Sequence, residues 1–289
     1  MIYSRIKYDI FFKKVFSQEH ILKAFLNTVL AGELPAPIAT LTYQPTDFIT
    51  KSERQYLNAV KHTVIDVFVT TETGARALVE IQKGTTKADL LRFVDYQCRN
   101  FSNQFRVGDD YSQYVPCYSV GWLFDMTPPH HQVKEKIRIQ SDQPLTDWRI
   151  NWEIIAIYPR CINEEHLQRH SLEALEEWLL LDVVTDRAKA QQIKELVHTQ
   201  EVQEAFEQLD VSGLTDEEIE ELEFEEAIDD RYKLSFEKRI KQTQQETKQE
   251  RNREIALKLI ISGIPIETIQ EATSLTIEEI EQIRATLSQ

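Results

Sequence analysis

The 289-residue chain is 42% hydrophobic with a formal net charge of −15, enough apolar material for one sizeable core and a smaller appendage. It holds no run of about 18 apolar residues and no signal-peptide pattern at its amino terminus. A soluble, cytoplasmic protein with no membrane partner is therefore expected. Cys98, Cys117 and Cys161 form neither a CxxC pair nor a disulfide framework, which fits a reducing compartment.

The acidity is uneven. Residues 1–160 carry 19 Lys+Arg against 17 Asp+Glu, whereas residues 161–289 carry 14 against 31. The net charge therefore does not exclude a nucleic-acid partner for the first region, which has Lys and Arg to spare for phosphates.

Residues 9–30 place Phe12, Val15, Phe16, Ile21, Leu22, Phe25, Leu26 and Val29 at near-helical spacing with a break near Ser17, predicting helix packed on a sheet. Asp9 at its start is either a cap or a functional acid, and Glu19 is the other acid on the segment. Pro35 and Pro37 end the helical region, residues 38–43 read as a strand, and residues 47–61 as a polar loop.

Residues 63–82 alternate apolar and polar in two runs separated by a turn containing Gly74. A three-residue loop centred on Thr73, with the glycine left-handed, sets Asp66 directly across from Glu80. Opposed residues have Cβ atoms about 5 Å apart, where like charges repel unless a cation lies between them. Carboxylate oxygens in that role suit Mg²⁺ or Mn²⁺. Taken alone, the two acids fit a solvent-facing sheet surface equally well. Gln82, next on the same face as Glu80, makes the pattern that of a site.

Residues 86–105 form a second helix with an apolar stripe, on which Arg92 and Tyr96 share a face. They read as a phosphate-binding guanidinium with a hydroxyl or stacking ring, or as a surface pair covering the core edge. Residues 114–126 read as a buried strand, His130 and His131 as an exposed loop, and residues 149–158 as the strand that ends the sheet. The element order predicts an α/β (α+β) domain, a mixed central sheet flanked by helices.

Beyond Asn163 the chain turns helical, with amphipathic segments at 172–181 and 188–197. His166 and His170 are four apart but have no third ligand, and read as solvated. Residues 201–230 hold 14 acids and no Lys or Arg, and residues 231–253 hold eight Lys+Arg and three Glu. These blocks can pair with each other or with a second chain, and the basic one can also follow DNA. In the tail, Gly263 stops a helix, residues 264–272 form another, and Thr276 with Glu279 opens a third by a capping box. The spacing is that of a helix-turn-helix. Glu278, Glu279 and Glu281 at the start of the would-be reading helix repel DNA, so the tail reads as a packing or homodimerisation module. The expected domains are 1–162, a charged helical extension over 163–250, and a small helical tail over 251–289.

Asp9, Phe12, Lys13 and Phe16 on the first helix, then Asp66, Glu80 and Gln82, then Arg92 and Tyr96, together resemble the PD-(D/E)XK nuclease superfamily. Within it they are most similar to the recombination-promoting nuclease (Rpn) and transposase branch, from about Tyr8 to Tyr158. The resemblance implies a restriction-endonuclease-like fold and a metal-dependent DNA endonuclease that hydrolyses phosphodiester bonds in recombination or mobile-element biology. It implies Mg²⁺, with Mn²⁺ as a substitute, on Asp66, Glu80 and the Ile81 carbonyl. It favours Asp9 over Glu19 as the further acid. Gln82 stands where the superfamily usually has lysine; it can orient a water but supplies no charge. Lys87 and Arg92 on the following helix are the expected source of that charge, Lys83 being on the opposite face, and Tyr96 accompanies them at the DNA. The rival expectations are a catalytically weak nuclease fold that binds DNA or protein through its helical tail, and a helix-turn-helix regulator.

Overall fold

A computed structural model describes residues 3–46, 66–82, 87–128, 130–139, 151–169, 171–184 and 187–286. The expected polar loop at 47–61, Lys83 and His170 lie outside the described residues. The first helical segment is two helices, α1 (Asp9–Phe16) and α2 (Glu19–Val29), divided where the spacing slips at Ser17 and Gln18. Strands β1 (Leu41–Tyr43), β2 (Val67–Thr71) and β3 (Arg76–Gln82) follow, then helix α3 (Lys87–Ser102) and strands β4 (Cys117–Leu123), β5 (Lys134–Arg138) and β6 (Trp152–Ile157).

The six strands form one mixed sheet in the order β1-β2-β3-β4-β6-β5. Strands β3, β4 and β6 run parallel at its centre, and the outer pairings are antiparallel. Every residue of β4 and β6 is buried, as expected of parallel strands covered on both faces. One expectation is corrected here: residues 149–158 do not end the sheet. β5 does, carrying the sequence KEKIR. Such a strand has no apolar alternation to reveal it. Glu33 receives Lys136 and Arg138, and Arg138 Nε donates to Glu153 Oε1 at 2.7 Å.

One face of the sheet meets α1 and α2. Phe12, Phe16 and Phe25 gather around Trp122 of β4, with Phe25 and Trp122 centroids 5.4 Å apart. Of these rings, Phe16 and Phe25 also meet Trp178 from helix α5 (Ala174–Leu179), which follows the short α4 (Glu164–Leu167). Buried side chains of α6 (Arg187–Leu196) and α7 (Gln200–Glu207) join that core. The other face is covered by α3, whose Phe93 packs with Leu123, Ile154 and Ala156, while Tyr96 packs with Phe68 and Leu78. Buried Gln97 donates to the Cys117 carbonyl at 2.6 Å and accepts from Ser119 Oγ, which satisfies polar atoms beneath the helix.

The chain divides into two compact units, Met1–Leu222 and Glu223–Gln289. Helix α8 (Asp216–Ile261) opens on a capping box: Thr215 N donates to Glu218 Oε2 at 2.7 Å, and Glu218 N to Thr215 Oγ1 at 3.3 Å. Gly263 at φ 72° ends it. Helices α9 (Ile266–Thr273) and α10 (Ile277–Thr286) follow, the second capped by the predicted Thr276 and Glu279 pair. Ala256, Ile269, Leu275 and Ile280 are the buried centre of this second unit. Among the described residues no helix is long and apolar enough to cross a membrane.

Gly121 on β4 lets α3 come close. A Cβ there would lie 2.5 Å from Phe93 Cε1, and Gly121 pairs in register with Glu80 on β3. Gly121→Ala should therefore destabilise the first unit by about 1–3 kcal/mol through overpacking. Urea denaturation would measure this, and Phe93→Leu in the same chain should recover part of the loss.

Candidate active site

The hairpin between β2 and β3 fixes the site. Thr71 N donates to Ala75 O and Gly74 N to Thr71 O, each at 2.9 Å, which closes a three-residue loop with Gly74 at φ 82°. The ladder then runs from Thr70 opposite Arg76 to Val67 opposite Val79. One step further, Asp66 meets Glu80. The Asp66 backbone N–H donates to Glu80 Oε2 at 2.9 Å, and the Ile81 N–H donates to Asp66 Oδ2 at 2.8 Å. Each carboxylate is thus held by the main chain of the opposite strand, and Glu80 is only 4% exposed.

Helix α3 crosses the same face of β3. Arg92 Nη1 donates to Gln82 Oε1 at 2.6 Å and Nη2 to the Tyr96 hydroxyl at 2.6 Å, with Nη2 3.6 Å from Glu80 Oε1. Arg92 and Tyr96 are joined by the one-turn spacing expected of them, and both face the carboxylates. Burial pushes Glu80 up to about 8, and the Asp66 charge adds to the rise. Burial likewise pushes Asp66 up to about 6 against the lowering effect of the Ile81 N–H, and Asp9 adds to the rise.

Asp9 is the first residue of α1; the cap position is Tyr8, so Asp9 is not the helix cap. Its carboxylate receives Lys13 Nζ at 2.5 Å. Lys13 feels the charges of Asp9, Asp66 and Glu221 of α8. The sequence names Lys13 only within the first-helix motif, and its ion pair with Asp9 near Asp66 comes from the fold. Lys87 begins α3, but its side chain lies outside the described residues. Glu19 instead turns to the β1 edge, its carboxylate 3.4 Å from the Leu41 N–H. His166 sits away from this site, closing a capping box with Asn163 and facing Glu176.

The residues present fit a hard divalent cation. Asp66 and Glu80 are two oxygen donors, largely shielded from solvent, mutually repelling and fixed by backbone N–H groups before any ion arrives. What this arrangement can do is hold such an ion beside a polarised amide and a guanidinium.

The mixed sheet, its helical faces and the carboxylate pair on the central hairpin define a restriction-endonuclease-like α/β domain. The family model described as "PD-(D/E)XK nuclease family transposase" matches residues 6–237, and the chain belongs to that family. No curated protein and no solved structure matches the chain.

Both acids hold their protons more tightly in the folded chain than their ordinary values of 3.8 and 4.5 allow. The stability they contribute is full below those ordinary values and is lost as pH rises through about 6 for Asp66 and about 8 for Glu80. In chelator, thermal unfolding should therefore show a Tm that declines across that window. Mn²⁺ should reduce the decline, and its affinity, read by calorimetry, should increase with pH as protons leave the pair. Glu80→Gln should flatten the chelator profile.

Proposed function

We propose that this chain is a metal-dependent DNA endonuclease that hydrolyses phosphodiester bonds. The reading rests on one observation above all, the Asp66 and Glu80 pair interlocked across the hairpin. Asp66, Glu80 and the Ile81 carbonyl would hold Mg²⁺, with Mn²⁺ as a substitute. A divalent ion bound there supplies a water of lowered pKa and neutralises charge on the reacting phosphate. Gln82, fixed by Arg92, would offer its amide to orient an attacking water. Arg92 meets the phosphate as charge builds on it, with Tyr96 bracing the guanidinium. Lys13, held by Asp9, supplies the positive charge that Gln82 lacks. Lys87 extends the DNA interface. The proposed setting is the cytoplasm, in recombination or mobile-element biology. The second unit closes a core of its own, so the reading asks nothing of a second copy.

A second reading is favoured by Gln82 itself: without a lysine on β3, the fold can serve as a DNA- or protein-binding module. Metal dependence separates the two. Supercoiled plasmid should be nicked or linearised with Mg²⁺ and Mn²⁺ and left intact in chelator. Asp66→Ala and Glu80→Ala should abolish cleavage, and Arg92→Gln should slow it by about 10²–10³. Equal cutting by wild type and the carboxylate variants would overturn the nuclease reading in favour of the binding module.

A further inference from the structure

The carboxyl ends of the three parallel strands lie along one border of the sheet, the border where open α/β sheets take their ligands. Gln82 closes β3 there. The Phe124 N–H donates to the Gln82 carbonyl at 3.2 Å, so the end of β4 is tied to the candidate site and Asp125 is the next residue. From the end of β6, half-exposed Arg160 reaches back to place Nη2 2.8 Å from Asp125 Oδ1. Arg5 and Lys7 arrive from the segment leading into α1, between them Ile6, whose N–H donates to the Leu181 carbonyl at 3.2 Å. Asp182 follows Leu181, and its Oδ1 is buried with no hydrogen-bond partner. Arg5, Lys7 and Arg160 all act on it electrostatically, as does Asp125.

The charge balance of this group is what sets it apart from an ordinary surface ion pair. Arg160 and Asp125 alone would be neutral. Arg5 and Lys7 add two cations, against which stands one carboxyl raised to about 7 by burial. Lys7 is itself buried, its Nζ 5.1 Å from the Tyr8 ring centroid, whereas Arg5 is partly exposed and Arg160 half-exposed. A carboxyl oxygen withdrawn from water, as that of Asp182 is, is costly unless charges around it are held in place. Here Arg5, Lys7 and Arg160 are the cations whose charges it feels, and Arg160 lies at the border that Gln82 occupies.

We propose that Arg5 and Arg160, backed by Lys7, form a cationic border that binds phosphates of duplex DNA flanking the one held at Asp66 and Glu80. The inference rests on the nuclease reading for its substrate, and names residues that reading does not use. Cations placed this way position the duplex without reading its sequence.

The test uses the full chain, a fluorescein-labelled duplex of arbitrary sequence, and anisotropy over a salt series with Ca²⁺ replacing Mg²⁺. Arg5→Gln with Arg160→Gln should weaken binding, and the slope of log affinity against log salt should fall by about 0.9 for each phosphate no longer neutralised. Arg160→Lys should retain most of the affinity. Asp125→Asn frees Arg160 from its carboxylate and should tighten binding, whereas a purely structural ion pair would give no gain. Calorimetric Mn²⁺ binding at the carboxylate pair should be unchanged in every one of these variants, and circular dichroism checks their folding. An unchanged salt slope in the folded double variant, or no gain from Asp125→Asn, overturns the proposal. A wild-type chain that binds no duplex overturns both the border and the nuclease reading. Binding that depends on the two arginines, in a chain that cuts no plasmid, keeps the border and removes the nuclease.

Discussion

Two carboxyl groups facing each other across a hairpin, with little water to screen them, are an unfavourable arrangement that the rest of the first unit serves to maintain. Asp66 and Glu80 each accept an N–H from the opposing strand, so neither can swing away from the other. The sheet keeps the hairpin from relaxing, because β3 is hydrogen-bonded on both sides, antiparallel to β2 and parallel to β4. Helix α3 closes the face and brings Arg92 against Gln82 and Glu80. Repulsion built into a rigid frame is what a bound cation would relieve, and this links the folding of the hairpin to its proposed chemistry.

The frame depends on both layers of packing. Aromatic rings of α1 and α2 lie between Trp122 of the sheet and Trp178 of α5, so the helices beyond residue 163 help to fix α1 and with it Asp9 and Lys13. On the far side, the gap left by Gly121 admits Phe93, one residue from Arg92. Side chains that touch no substrate therefore set the distance between guanidinium and carboxylates.

How much of this can be read in the sequence follows from how local each signal is. The hairpin is legible because alternation and a three-residue loop with Gly74 determine the register, and the register sets Asp66 against Glu80. Arg92 and Tyr96 are legible as a pair by helical spacing. The tail's capping box at Thr276 is legible for the same reason. Lys13 is visible only as part of a motif, since its role depends on α1 lying beside a strand some fifty residues away. β5 escapes notice because KEKIR at a sheet edge carries charges where an interior strand carries apolar side chains. Gly121 is concealed in an apolar run, and its meaning needs Phe93 of a different element. Arg5, Lys7, Asp125, Arg160 and Asp182 converge from distant segments, and no local pattern announces them.

The charged strand β5 has a consequence for the molecule in solution. A sheet ends either by hiding its last row of peptide groups or by making that row unattractive to another strand. With Glu33, Glu153, Lys136 and Arg138 interlocked along this edge, an incoming strand would have to displace ion pairs and set its own side chains among alternating charges. At the other edge β1 is three residues long, too short to template much pairing. The protein can therefore carry a mixed sheet with an apolar, parallel centre through synthesis and storage without offering it as a seed for aggregation.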